Sequence, residues 1–403
     1  MSRRRGTAVL AALGLAAGAL TAPPTASASH AAITIQVGAQ LGPRSLPAES
    51  MRFAGPETIT VHHGDRITFD FKGFHTATLL PRSVGADDWL IENASPRGAF
   101  GFAKTDPDDG DNAFKDNSSG VLAPSDPTCG APGQSPCNFT GDTVLSSGAP
   151  LEAGQTFTVT VNADPGATFW VVCLIHHHMR KRIRVVADPA AATAQSTIDA
   201  VTRDQLARDL DWAEATHEKY SDRRTSHEGA GGRRVWDAWA GVDSRTVSLY
   251  AFYPTRLTIA RGDVVRWRFD SLVHEDHTVS LPDPQVVFRL QFDEPMCDPD
   301  GDQGAGPDTP PGSDPETGDP TCPEGSTLEN DVSHEFWGGT GNGVLSGPND
   351  AEHSGIRGPQ AERLTPPAGG IDSFDVRFGA ASGNKPFKYF CFLHPMEATV
   401  AVR

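Results

Sequence analysis

The chain has 403 residues, enough for two domains each with its own core. Its 34 Lys and Arg against 51 Asp and Glu give a formal net charge of −17, which argues against nucleic acid as a partner. With 41 Gly and 32 Pro, the composition favours short strands and many turns over long helices.

Residues 1–28 read as a secretory signal. Arg3-Arg4-Arg5 is the charged start, Ala8 to Leu20 a short apolar run, and Ala26-Ser27-Ala28 a small-residue cleavage site. Arg3-Arg4 also hints at a twin-arginine signal. The apolar run is too short to span a bilayer, and no later segment could span one. The expectation is a secreted, extracytoplasmic protein with no membrane span.

Beyond the signal, Ala32 to Val37 alternates apolar and polar residues and predicts a strand. Ile59-Thr60-Val61 and Ile67 to Phe71 are short strands joined by a turn at Gly64-Asp65. After His75-Thr76-Ala77-Thr78-Leu79-Leu80-Pro81 comes an irregular insertion, roughly 82–136. Thr156 to Val161, Thr168 to Val172 and Arg182 to Val186 complete a first unit, 32–187. In 188–235, Ile198, Val201, Leu206, Leu210 and Ala213 recur at helical spacing, which predicts a linker with one amphipathic helix. His217 and His227 fall here or just beyond and are expected at the surface.

The remainder, 236–403, repeats the first unit. Arg256 to Trp267 echoes Thr58 to Phe69, and His277-Thr278-Val279-Ser280-Leu281-Pro282 echoes His75 to Pro81. Val344-Leu345-Ser346-Gly347 echoes Val144 to Gly148, Ser373 to Phe378 echoes the Thr156 strand, and Lys388 to Cys391 echoes Trp170 to Cys173. Preserved order indicates an internal duplication. Short strands and crossings of Greek-key length predict two β-sandwiches, an all-β protein.

The six cysteines divide by neighbourhood. Cys129 with Cys137 and Cys297 with Cys322 are local pairs in Gly/Pro/Asp-rich segments and predict two loop-stapling disulfides. Cys173 and Cys391 sit instead in Cys173-Leu174-Ile175-His176-His177-His178-Met179 and Cys391-Phe392-Leu393-His394-Pro395-Met396. Thiolate, imidazole and thioether are soft or borderline donors that favour copper over magnesium or calcium. A one-electron copper site is met by a thiolate and two imidazoles in a plane with a weak axial thioether. Cys and a His three residues on share one loop, so the second His must come from another strand; His75 and His277 are the upstream candidates. A lone buried Cys or Met is ordinarily core. The same order twice is harder to assign to core.

On these residues each half resembles the blue-copper cupredoxin family, the plastocyanin-like and azurin-like proteins. The resemblance covers most of 32–187 and about 245–403, and omits the insertions and the helix. It implies two tandem Greek-key sandwiches, outer-sphere electron transfer, and two copper ions per chain alternating between Cu(I) and Cu(II). It also implies the ligand sets: His75, Cys173, His176 and Met179; and His277, Cys391, His394 and Met396. His177 and His178 stay open beside His176, His274 beside His277, and the axial ligand of the second set is open because its loop is one residue shorter.

The expected function is one-electron transfer with a redox protein or a small-molecule donor or acceptor. A multicopper oxidase or a nitrite-reductase-like enzyme is the alternative, as is copper sequestration without redox turnover. Such enzymes place a His beside the Cys, whereas here Cys173 is flanked by Val172 and Leu174, and Cys391 by Phe390 and Phe392.

Overall fold

A computed structural model describes residues 30–86, 103–104, 114–115, 124–149, 154–176, 178–188, 190–270, 273, 275–282, 295–298, 312–315, 320–330, 339, 341–347, 350–358 and 372–403. The signal, His177 and His274 lie outside these residues.

In the first half the strands are β1 (Ala32–Leu41), β2 (Ala48–Phe53), β3 (Thr58–His62), β4 (Arg66–Phe71) and β5 (Thr78–Leu79). Then come β6 (Ala103–Lys104), β7 (Phe114–Lys115), β8 (Cys137–Phe139), β9 (Leu145–Ser146), β10 (Thr156–Val161), β11 (Thr168–Val172) and β12 (Arg180–Val186). Helix α1 (Gln195–Ser221) and β13 (Thr225–Glu228) follow. The second half holds β14 (Arg234–Asp243), β15 (Val247–Tyr253), β16 (Arg256–Ile259), β17 (Val264–Arg268) and β18 (Ser280–Leu281). Its insertion carries β19 (Pro295–Asp298), β20 (Gly312–Ser313), β21 (Pro320–Thr321) and β22 (Thr327–Asn330). Last are β23 (Val344–Leu345), β24 (Glu352–His353), β25 (Ser373–Phe378), β26 (Phe387–Phe390) and β27 (Glu397–Val402). Among the described residues the protein is all-β, with one long helix.

The two halves repeat one strand order. One five-stranded sheet runs β3-β12-β11-β5-β9 and another β16-β27-β26-β18-β24. Their partner layers are fused into one eleven-stranded sheet, β23-β25-β17-β14-β15-β2-β1-β4-β10-β8, with β13 on β14. The seam is the antiparallel pair β2–β15, with Ser50 opposite Val247, Glu49 opposite Ser248 and Ala48 opposite Leu249. Each half alternates inward and outward residues, so Ile33, Ile35, Phe69 and Phe157 of one layer pack on Ile59, Phe169, Val171 and Ile183 of the other. In the second half Phe252, Val265, Trp267 and Val376 meet Leu257, Tyr389 and Val400 in the same way.

Helix α1 does not run free between the halves. It lies on β1, β2 and β15, and a third apolar cluster of Leu41, Ala48, Ala213, Tyr220, Trp239 and Leu249 fills the gap. Asp209, buried on the helix, accepts from Ser50 Oγ at 2.7 Å and from Arg52 at 2.7 and 2.8 Å. His217, expected at the surface, is partly buried, with Nδ1 2.8 Å from the Tyr253 hydroxyl. Cys129 is bonded to Cys137 and Cys297 to Cys322, leaving Cys173 and Cys391 as buried thiols.

One of the repeat matches needs correction. Val344-Leu345 forms β23, which pairs β25 in parallel as β8 pairs β10, so it is the repeat counterpart of β8 and not of β9. The true counterpart of Leu145-Ser146-Ser147-Gly148 is Glu352-His353-Ser354-Gly355. Ser147 Oγ accepts from Ala77 N–H at 2.9 Å, and Ser354 Oγ from Val279 N–H at 2.8 Å. Ser146 Oγ bonds Thr78 and His353 Nδ1 bonds Ser280. Hydrogen-bonding role was kept while residue identity changed, and similarity of letters pointed to the wrong strand.

Candidate metal centres

Strand pairing assembles both centres in the same way. Cys173 follows β11, whose Val172 lies opposite Thr78 of β5. That register sets Thr76 beside the thiol: its N–H donates to Cys173 Sγ at 3.4 Å, and its hydroxyl accepts from Leu174 N–H at 2.7 Å. In the second half Ser280 lies opposite Phe390, Thr278 N–H donates to Cys391 Sγ at 3.3 Å, and the Thr278 hydroxyl accepts from Phe392 N–H at 2.8 Å. The threonine after each upstream histidine thus fastens the cysteine loop and points a hydrogen-bond donor at the sulfur, which favours thiolate.

In the first centre His75 Nδ1 and His176 Nδ1 stand 2.9 Å apart, and Cys173 Sγ is 3.6 Å from His176 Nδ1. In the second, His277 Nδ1 and His394 Nδ1 stand 3.0 Å apart, with Cys391 Sγ 3.9 Å from His277 Nδ1. Within each group the three donor atoms lie within 4.8 Å of one another. His176 is buried whereas His178 is exposed, so of these two imidazoles it is His176 that faces the thiol.

Met179 and Met396 are buried in the same apolar clusters as their cysteines. The unequal loops close on the same bond. Cys173 N–H donates to the Met179 carbonyl at 3.1 Å, and Cys391 N–H to the Met396 carbonyl at 3.1 Å. The longer loop turns with Met179 N–H on the His176 carbonyl (3.0 Å), the shorter with Met396 N–H on the His394 carbonyl (2.7 Å). A tighter turn therefore absorbs the missing residue.

The backs of the upstream histidines differ. His75 Nε2 lies 2.8 Å from Glu49 Oε1, so its Nε2–H donates to the carboxylate, and in the neutral ring that a metal ion requires Nδ1 carries the lone pair. Two imidazole Nδ1 atoms facing each other beside a sulfur make a cation site. A buried set of two imidazoles and one thiolate fits a copper ion and suits the oxygen-seeking magnesium and calcium poorly. Among the described residues, His277 Nε2 is buried with no hydrogen-bond partner. A glycine with positive φ backs each ring, Gly38 (φ 71°) behind His75 and Gly241 (φ 88°) behind His277. A Cβ on Gly241 would lie 2.7 Å from His277 Nε2.

Electrostatics follow this difference. Burial pushes the His75 imidazole down, but the adjacent Cys173 thiol and Glu49 carboxylate outweigh it and bring it up to about 9. Burial pushes Cys173 up, and His75 outweighs it, so the thiol falls below its ordinary value. At the second centre burial prevails. It raises Cys391, lowers His394 to about 4, and with the charge of His394 holds His277 well below the usual range. Between the centres, burial and then the carboxylates of Glu49, Glu275 and Asp243 push the Tyr250 hydroxyl well up.

The structure thus brings together His75, Cys173 and His176, and separately His277, Cys391 and His394, with both methionines buried next to them. Glu49, Tyr250 and the paired glycines were not singled out from the sequence. A glycine inside a strand, as in Val37-Gly38-Ala39 and Ala240-Gly241-Val242, is the signal that could have found the close approaches.

No family model and no curated protein matches the chain. Among solved structures, an oxidised mutant of amicyanin is 13% identical, with 38% of this chain and 81% of that chain covered and a TM-score of 0.19. Reduced auracyanin from the photosynthetic bacterium Roseiflexus castenholzii is 15% identical, with 40% and 99% covered and a TM-score of 0.20. The multicopper oxidase mgLAC is 12% identical, with 87% and 86% covered and a TM-score of 0.18. At such scores the identification of the metal centres rests on the donor atoms of this chain alone.

Proposed function

We propose that the protein is an extracytoplasmic electron carrier with two type 1 copper centres, each alternating between Cu(I) and Cu(II). His75, Cys173, His176 and Met179 hold one ion; His277, Cys391, His394 and Met396 hold the other. The observation that carries this reading is the recurrence of one buried Nδ1–Nδ1–Sγ group, with the same threonine donor and the same cysteine-to-methionine backbone bond, in two loops of different length. A donor set held rigidly by its second layer of hydrogen bonds serves both oxidation states with little rearrangement.

Two further features support it. The exposed large apolar residues among the described residues are Phe74 and Leu393, and each adjoins a ligand histidine, His75 and His394. They give each centre an apolar surface where a redox protein or a small-molecule donor or acceptor can meet it. Two disulfides and the signal-like start fit an oxidising compartment.

The test is metal content with a visible spectrum. The copper-loaded protein should hold two coppers and absorb strongly at roughly 600 nm through thiolate-to-copper charge transfer. Cys173→Ser and Cys391→Ser should each remove one copper and part of the band. A colourless protein, or four or more coppers with oxygen consumption, would overturn the reading.

A further inference from the structure

The two centres are tied to the two strands that pair across the seam. Glu49, which holds His75, is on β2, directly opposite Ser248 of β15. Two residues further along β15, on the same face, stands Tyr250. Its ring is stacked on His394 with centroids 4.5 Å apart and planes 12° from parallel, and its hydroxyl reaches Met51 Sδ at 3.7 Å. Met51 is two residues from Glu49 on the same face of β2, and both Met51 and Tyr250 are buried. The backbone closes the span from both sides, Tyr250 N–H on the Pro47 carbonyl at 2.7 Å and Met51 N–H on the Thr246 carbonyl at 2.9 Å. A buried aromatic ring thus lies between a ligand of one centre and the strand that carries the support of the other.

Resting on the reading of both centres as type 1 copper, we propose that they form one internal relay, with electrons passing between His75 and His394 through Tyr250 and the β2–β15 seam. In each passage one electron leaves Cu(I) at the first centre and reduces Cu(II) at the second. No bond is made or broken, the phenol keeps its proton, and Tyr250 serves as a bridge that is itself neither oxidised nor reduced. Two stations inside one chain let a donor meet the Phe74 surface while an acceptor meets the Leu393 surface.

The test uses the full copper-loaded chain, reduced by a single electron in a pulse, with the redistribution between the two centres followed optically. Dipolar electron spin resonance of the fully oxidised protein gives the separation of the two ions independently of any rate. The rate should not depend on protein concentration. Tyr250→Phe keeps the stack and loses the hydroxyl contact; Tyr250→Leu loses both. The rate should fall in that order, by about tenfold for the second, as when one member of a packed coupling network is removed. Met51→Leu conserves volume, lies outside both ligand sets, and should slow the step if Tyr250→Leu proves too unstable to load. Wild-type rates in the variants that retain two coppers, or a rate that rises with protein concentration, would overturn the relay while leaving the copper reading intact. Loss of the two-copper spectrum in the unaltered chain would instead defeat the copper reading.

Discussion

Glu49 accepts a 2.8 Å hydrogen bond from His75 Nε2, whereas the equivalent nitrogen of His277 is buried without a partner among the described residues. A carboxylate behind a ligating imidazole makes it a stronger donor to the oxidised ion and fixes its tautomer. The first centre should therefore bind copper more tightly and have the lower reduction potential. Glu49→Gln retains an acceptor oxygen and removes the charge. It is expected to weaken copper at the first centre by roughly 10- to 100-fold, the usual effect of losing such a partner. It should also raise the potential of that centre and leave the second unchanged. Competition with a copper chelator and a spectroscopic redox titration check both points; equal shifts at the two centres would sink the explanation.

Gly38 and Gly241 occupy matching bulges, where β1 and β14 slip register beside β2 and β15. Both have positive φ, and both face an imidazole that a Cβ would strike. Gly38→Ala and Gly241→Ala should each displace one histidine and abolish copper at one centre only. The combined backbone strain and displacement are expected to cost about 1–3 kcal/mol of stability. Copper counting and urea denaturation of the two variants measure these effects, and two retained coppers in either variant would refute the steric account.

Much of the grouping was legible in the sequence because the proposed copper centres demand a fixed set of side chains. Cys173, His176 and Met179 share one short loop, and His75-Thr76 and His277-Thr278 mark the distant histidine by repeating; the structure groups each histidine with its cysteine. Glu49 is different. It sits in Pro47-Ala48-Glu49-Ser50, near the start of a strand with no alternation of its own, and acquires meaning only when β2 is placed beside β1. The same holds for Tyr250, which lies in the nearly continuous buried run Val247 to Tyr253 of a strand flanked on both sides. Helical periodicity found α1 and its apolar face, but not that this face packs on β1, β2 and β15 across the seam. Side-chain pattern reports burial, and it does not report which strand is the neighbour.

His217 provides a pH test of that helix. Burial lowers its pKa below the ordinary 6.5, and its Nδ1 pairs with the Tyr253 hydroxyl. Between the two values the unfolded chain carries a proton that the folded chain does not, so the folded state loses stability as pH falls below about 6.5. His217→Gln can still bond Tyr253 but does not titrate. Urea midpoints of the variant should fall less between pH 7 and pH 5, as approximate working values around that window, than those of the parent chain. Parallel curves would show that this histidine plays no part.

Asp209 fastens α1 to the seam. It accepts from Ser50 and from Nε and Nη2 of Arg52, and Arg52 Nη2 also reaches Thr246 Oγ1 at 2.8 Å, next to the start of β15. Asp209 is buried while the Arg52 side chain is 26% exposed, so water can partly solvate the cation if its partner is lost. Asp209→Ala should therefore cost about 2–3 kcal/mol, below the full penalty of stranding a buried charge. Asp209→Asn, which keeps the acceptor for Ser50, should cost less. The proposed ligands of both centres lie on other elements, so both variants should still load copper, with their charge-transfer bands in place. A variant that lost copper before it lost stability would show that the helix acts on the centres directly and not through the β2–β15 pair it clamps.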